Sequence, residues 1–224
     1  MFLTRMFLNP RRRQAMRFQQ DPQAMHAAVE SSFPPDPGGT NPRTLWRLES
    51  EGSTLRLFLL SERVPSLEHL QEQAGWMNEV TWESRPYDSL LARLQLGQQY
   101  GFRVTANPVH TVTGKNGQKR KLAHVTVAQQ AKWLADRADL LGVRFLRGDG
   151  EALEGEATEA ILVSNRETLR FHRGEQRVTL ARAQFDGLLE VSDVSKLQTA
   201  LVAGIGRGKA YGCGLLTLAP HSPG

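Results

Sequence analysis

Turn and cap residues divide the first part of this 224-residue chain into strand, helix, strand, strand, helix, strand, an order that few folds accommodate. Residues 1–8 alternate as a strand, and Arg11, Arg12 and Arg13 follow in a polar loop. Asp21-Pro22 then opens a helix, because Asp caps free amides and Pro fits the first helical position. That helix is expected to reach about Phe33, where Pro34-Pro35 and Gly38-Gly39 stop it. Strands are expected at 43–49 and 54–60 around Glu51-Gly52-Ser53. A short helix from Ser66 to Ala74 and an aromatic, β-prone strand at 76–82 complete the set. Four antiparallel strands would then carry two helices on one face.

The order repeats with an elaborated centre. Pro86 to Gly97 reads as a linker containing a helical turn. A strand at 99–106 ends at Asn107-Pro108, and a loop carrying Lys115, Lys119, Arg120 and Lys121 follows. A helix from Thr126 to about Leu141 places Ala131, Leu134, Ala138 and Leu141 three to four residues apart. Strand-like 143–147, an acidic loop at 148–156, and long strands at 159–172 and 176–190 around Arg173-Gly174-Glu175 come next. A helix at 192–202 and a last strand at 213–218 close the chain. The expectation is an α+β protein of two tandem ferredoxin-like, RRM-like domains, each β-α-β-β-α-β: 1–88, a linker at 89–98, and 99–224. No residue-level repeat accompanies the architectural one.

Composition narrows the function. Lys and Arg number 28 against 23 Asp and Glu, for a net charge of +5, and only a minority of the cations are lysine. Guanidinium forks suit phosphates and guanine edges, so the bias leans towards nucleic acid, although a solvated basic surface is an equal alternative. Cys213 is the only cysteine, which excludes an intrachain disulfide and a cysteine-zinc cluster and suits a reducing cytoplasm. Arg5 interrupts the short apolar start, so no secretory leader is expected, and no run is long enough to cross a membrane. Neither a P-loop nor a metal-binding His-x₃-His pattern is present.

The densest local signal is Gly204-Ile-Gly-Arg-Gly-Lys-Ala-Tyr-Gly-Cys-Gly214, with five glycines in eleven residues. Such a run permits close backbone approach, and consecutive N–H groups could face a phosphate, with Arg207 and Lys209 adding charge. A tight helix-to-strand connection is the alternative. His26 is the other focus. Helical spacing aligns Gln23, His26, Glu30 and Phe33 on one stripe, while Met25, Ala28, Val29 and Ser32 form the stripe suited to a core. His26 therefore belongs at a boundary or facing a cleft, where an imidazole can move protons near neutral pH. Arg166, Arg170 and His172 have even spacing on one strand face, and with Arg173 and Arg177 they form a basic hairpin.

The glycine segment, the opening Met-Phe-Leu-Thr-Arg with Asn9-Pro10, Met25-His26, Leu45-Trp46-Arg47-Leu48, Arg103 to Pro108 and Trp133-Leu134 together resemble the CasE endoribonucleases of type I-E CRISPR systems over nearly the whole chain. The resemblance implies metal-independent cleavage of CRISPR repeat RNA at the base of its stem-loop, and retention of the processed guide RNA. It also implies association with other Cascade subunits, no cofactor, and a monomer when free. His26 matches the family's catalytic histidine. The family's tyrosine one helical turn earlier is replaced by Gln23, which can donate a hydrogen bond but cannot transfer a proton, so either cleavage is slower or Lys209 or Tyr211 compensates. RNA contacts are expected from Arg11, Arg12, Arg13, Arg103, Lys119, Arg120, Lys121, Arg166, Arg170, Arg173, Arg177 and Arg207, and from the backbone at Gly204, Gly206, Gly208, Gly212 and Gly214. With aromatic residues at 7% and no RNP1 signature, stem binding is favoured over stacking of single-stranded bases. Two other readings stay open: a non-cleaving RNA-binding subunit of the same complex, and a ferredoxin-like protein that binds a small molecule or another protein.

Overall fold

The computed structural model describes residues 1–35, 43–114, 116–147 and 157–221. In the first half β1 (Phe2–Leu8), β2 (Leu45–Glu51), β3 (Thr54–Ser61) and β4 (Trp82–Pro86) form one antiparallel sheet in the order β2-β3-β1-β4. Three helices accompany it: α1 (Arg13–Gln20), α2 (Pro22–Glu30) and α3 (Glu68–Ala74). Met6, Leu8, Phe18, Met25, Val29, Leu57 and Leu70 meet in its core.

A short helix, α4 (Asp88–Leu91), leads to the second half. There β5 (Gln99–Ala106) is followed by a hairpin of β6 (Val109–Thr113) and β7 (Lys119–Ala123). Next come α5 (Val127–Ala135), α6 (Ala138–Leu141) and β8 (Val143–Leu146). Then follow β9 (Ile161–Arg173), β10 (Gln176–Val191), α7 (Val194–Ala203) and β11 (Leu216–Pro220). The sheet runs β11-β5-β10-β8, with β9 paired along β10 from Gln176 to Gly187. Fourth, first, third, second is also the spatial order β4-β1-β3-β2. Both halves are therefore ferredoxin-like, and the second is elaborated by the β6–β7 and β9–β10 hairpins.

Several elements depart from the periodicity. The strand expected at 76–82 lies at 82–86. Its aromatic stretch forms a loop instead, because Gln71 Nε2 donates to the carbonyls of Trp76 and Glu79 and its Oε1 accepts from Thr81 N–H. The polar loop after β1 contains α1, whose only buried residues are Ala15 and Phe18, too few to mark a period. α2 ends at Glu30, where Ser31 and Ser32 hydroxyls donate back to Ala27 and Ala28 carbonyls. The helix from Thr126 breaks after Ala135. Arg137 folds its guanidinium over the Trp133 ring at 4.1 Å and donates to the Trp133 carbonyl. The basic loop at 119–121 is strand β7. Gly38-Gly39, Lys115 and the acidic 148–156 segment lie outside the described residues.

The halves share a core. Leu45, Leu60 and Tyr87 pack with Val104, Phe185, Leu201 and Leu216. Arg47, 2% exposed, crosses the same boundary. Its Nε donates to Glu49 at 2.8 Å, its Nη1 to the carbonyls of Leu215 at 2.6 Å and Arg103 at 3.1 Å, and its Nη2 to Thr217 Oγ1 at 2.8 Å.

Candidate active site

Asp21 starts α2 by accepting from the Gln23 and Ala24 amides at 2.9 and 3.2 Å, with Pro22 at the first helical position. This registers His26 at the boundary of the helix's buried stripe of Pro22, Met25 and Val29. The imidazole is 28% exposed. Its Nδ1 is enclosed without a hydrogen bond and lies 3.8 Å from Glu30 Oε1. Gln23 Oε1 is enclosed and unpaired as well.

Facing His26 across the junction is Tyr211, its ring edge-on with centroids 6.0 Å apart and planes at 71°. Tyr211 is seated in turn against Phe171 of β9 at 4.7 Å, above Leu180 and Cys213. The glycine segment thus brings the carboxyl-terminal end of the chain to α2. All five of its glycines have φ between +70° and +91°. At Gly212 a Cβ would stand 2.7 Å from Trp46 of β2, and at Gly214 2.6 Å from the Ile205 carbonyl. The turn Lys209–Tyr211 can therefore press on the first half only because its flank lacks a side chain.

That packing corrects part of the expectation for the backbone. The amides of Gly204, Ile205, Tyr211, Cys213 and Gly214 donate to carbonyls of the protein, so the segment is not a continuous row of free N–H groups. Gly212 and Gly214 are buried, whereas Gly206 and Arg207 are exposed, and Gly204 and Gly208 lie between. Lys209 Nζ donates to the Ala203 carbonyl at the end of α7 at 2.5 Å, and its pKa is lowered by burial and by Arg43. Cys213 is wholly buried, which pushes its thiol up to about 12.

The basic positions divide by their partners. Arg103 is turned towards the junction, donating to Asp186 at 2.5 Å and Glu49 at 3.3 Å, which joins it to the ion network around Arg47. Burial would lower its pKa, but the two carboxylates outweigh that and raise it. Arg166 Nε donates to Gln130 of α5 at 2.8 Å, and its guanidinium also donates to the Val125 carbonyl. Arg12 donates to the Gly75 carbonyl at 3.2 Å. Arg11, Arg13, Lys119, Arg120, Lys121, Arg170, Arg173 and Arg177 are exposed, and the register His172↔Arg177 puts Arg170, His172 and Arg177 on one face of the long hairpin.

A cleft of about 610 Å³ lies beside Arg207, between the β6–β7 hairpin and α5. His110 and His124 stand 4.6 Å apart in it, with Lys121, Lys132 and Arg137 on its walls. Burial, then His110 and Arg137, lower the His124 pKa. Among the described residues no group of three or more His, Cys, Asp or Glu is placed to hold a metal. Sequence reasoning missed the Arg47–Glu49–Arg103–Asp186 network. Its one signal was a charge inside the apolar run Leu45-Trp46-Arg47-Leu48.

Residues 1–220 match the model of a family described as CRISPR associated protein. The chain is 31% identical over 227 residues to the CRISPR-associated endoribonuclease Cse3 of Thermus thermophilus, covering 98% of this chain and 100% of that one. It is 28% identical over 137 residues to the CRISPR system Cascade subunit CasE of Escherichia coli, covering 57% of this chain and 61% of the relative. Its fold superposes with a TM-score of 0.77 on Thermus thermophilus Cse3 bound to an RNA representing a pre-cleavage complex, at 28% identity and 98% coverage of both chains.

Proposed function

This chain belongs to the family of CRISPR associated proteins, and from that premise we propose that it is a metal-independent endoribonuclease. It cuts CRISPR repeat RNA at the base of its stem-loop and retains the processed guide RNA. The observation that carries this reading is the meeting of His26 with Tyr211 at 6.0 Å, which puts a proton-transfer group beside a surface-facing loop at the junction of the two halves. Likeness to Cse3, named an endoribonuclease and solved with RNA, supports the substrate class.

The chemistry needs no external nucleophile. The 2′-hydroxyl loses its proton to the His26 imidazole, and its oxygen bonds to the adjacent phosphorus. The bond from phosphorus to the 5′-oxygen breaks as that oxygen takes a proton, leaving 2′,3′-cyclic phosphate and 5′-hydroxyl ends. Tyr211 is the nearest candidate for the second proton. Lys209 is the other candidate, since one of its three N–H groups is given to the Ala203 carbonyl and two remain. Gln23 can position a group by hydrogen bonding. Exposed arginines and lysines of the two hairpins and of residues 11–13 hold phosphates, with Gly206, Arg207 and Gly208 at the open side of the loop. The reading places the chain in the cytoplasm with other Cascade subunits, as a monomer when free. It divides the chain at 1–88, 89–98 and 99–224.

His26→Ala is expected to slow single-turnover cleavage of repeat RNA in chelator by about 10²–10⁴-fold while leaving RNA affinity nearly intact. Cutting at the wild-type rate by that variant would remove His26 from the reaction. Gln23, standing where the family has a tyrosine, favours one rival: an RNA-binding subunit that does not cut. Intact RNA after prolonged incubation with the wild-type chain would establish that rival, and cyclic-phosphate ends would exclude it.

A further inference from the structure

We infer that Glu30 is a positioning residue that holds the proton of the neutral His26 ring on Nδ1, so that Nε2 presents its lone pair to the RNA. The inference rests on His26 acting as the base in the proposed reaction.

A neutral imidazole carries one proton, and the protein decides which nitrogen has it by what the nitrogens can bond. Nδ1 of His26 is shut away from solvent and no hydrogen bond reaches it. An N–H there needs an acceptor. A carboxylate, which accepts and does not donate when ionised, stands 3.8 Å away at Glu30 Oε1. The i, i+4 spacing on α2 sets that proximity, since residues four apart stack on one helix face. Rotation about the Glu30 side-chain bonds closes the remaining gap to hydrogen-bond length without moving the backbone. The edge-on Tyr211 ring, braced by Phe171, opposes the ring flip that would exchange the two nitrogens.

The charge pattern points the same way. From Met1 to Phe33 the acids are Asp21 and Glu30, against Arg5, Arg11, Arg12, Arg13 and Arg17. Asp21 is occupied by the α2 amides. Glu30 is left, an anion that a surface built for phosphates would otherwise omit. With Nδ1–H held, the 2′-hydroxyl proton goes to Nε2 as the 2′-oxygen bonds to phosphorus, and the imidazolium so formed keeps Glu30 as its counter-charge. The rival acceptor is Gln23 Oε1, also enclosed and unpaired, one turn earlier.

Uniformly ¹⁵N-labelled full-length protein distinguishes these by long-range ¹H–¹⁵N correlation of its histidine side chains at about pH 8, where an ordinary imidazole is neutral. The expected spectrum assigns His26 to the Nδ1–H tautomer, and Glu30→Leu, which leaves no acceptor at that position, shifts it towards Nε2–H. The same variant is expected to lose about 10–100-fold in single-turnover rate with RNA affinity held within about twofold, and Glu30→Asp to recover part of the rate. Three results would overturn the inference: an Nε2–H signal in the wild type, a tautomer unmoved by Glu30→Leu, whether or not Gln23→Leu moves it, or full-rate cleavage by Glu30→Leu. Wild-type cleavage by His26→Ala would sink the catalytic reading instead, and the spectrum, which needs no RNA, reports on Glu30 separately.

Discussion

Gly212 shows how one residue type is demanded by its surroundings. Its φ of +76° and the 2.7 Å approach of the Trp46 ring leave no place for a Cβ. Gly212→Ala is expected to cost about 1–2 kcal/mol for the left-handed backbone and about 1–3 more for displacing Trp46. Urea unfolding measures the sum, and a loss under about 0.5 kcal/mol would mean that the loop shifts freely. The glycine cluster was legible in the sequence, but its purpose was not. Close packing against Trp46, Leu45 and Trp133 involves residues far away in the chain, and a string of glycines looks the same whether it faces a phosphate or an indole. His26 was more legible, because a 3.6-residue period separates its stripe from that of Met25 and Val29 without reference to anything distant.

Long elements bounded by clear caps and turns were legible from the start, among them α2, β5, β9 and β10. Short ones that bury two residues, such as α1, carry no period to read. The hairpin β6–β7 was hidden because no residue of β7 is buried, so its pairing rests on backbone bonds and on the Lys121 ammonium donating to Thr111 Oγ1 at 2.8 Å. That hairpin carries Lys119, Arg120 and Lys121 into solvent. Replacing all three by alanine is expected to lower the slope of log affinity against log salt by about 2–3, one unit for each phosphate released, while the cleavage rate at saturating RNA stays unchanged. An unchanged slope would remove β7 from the RNA-binding surface.

The two halves are held as one body by a shared apolar core and by Arg47, whose guanidinium is largely desolvated, so that burial lowers its pKa against the pull of Glu49. Removing Arg47 leaves buried Glu49 with Arg103 alone and frees the Leu215 and Arg103 carbonyls, so Arg47→Ala is expected to cost about 3–5 kcal/mol. The double variant Arg47→Met, Glu49→Leu should recover much of that loss, because a buried pair replaced by apolar groups is close to neutral. Denaturant unfolding of the two variants decides it, and equal losses in both would show that the carbonyl contacts to Leu215 and Arg103 matter more than the charge pair. From periodicity, caps and turns the chain's own residues determined the repeated strand-helix order and the boundary position of His26, since both depend on neighbours within a few positions, and composition alone gave its basic, single-cysteine character. Only the tertiary structure decided that Arg103 faces the junction, that the glycines pack on Trp46 and its neighbours, and that Tyr211 meets His26. Each of these joins residues from 54 to 185 positions apart, and no local pattern encodes which distant surface a side chain will find when two sheets close on each other.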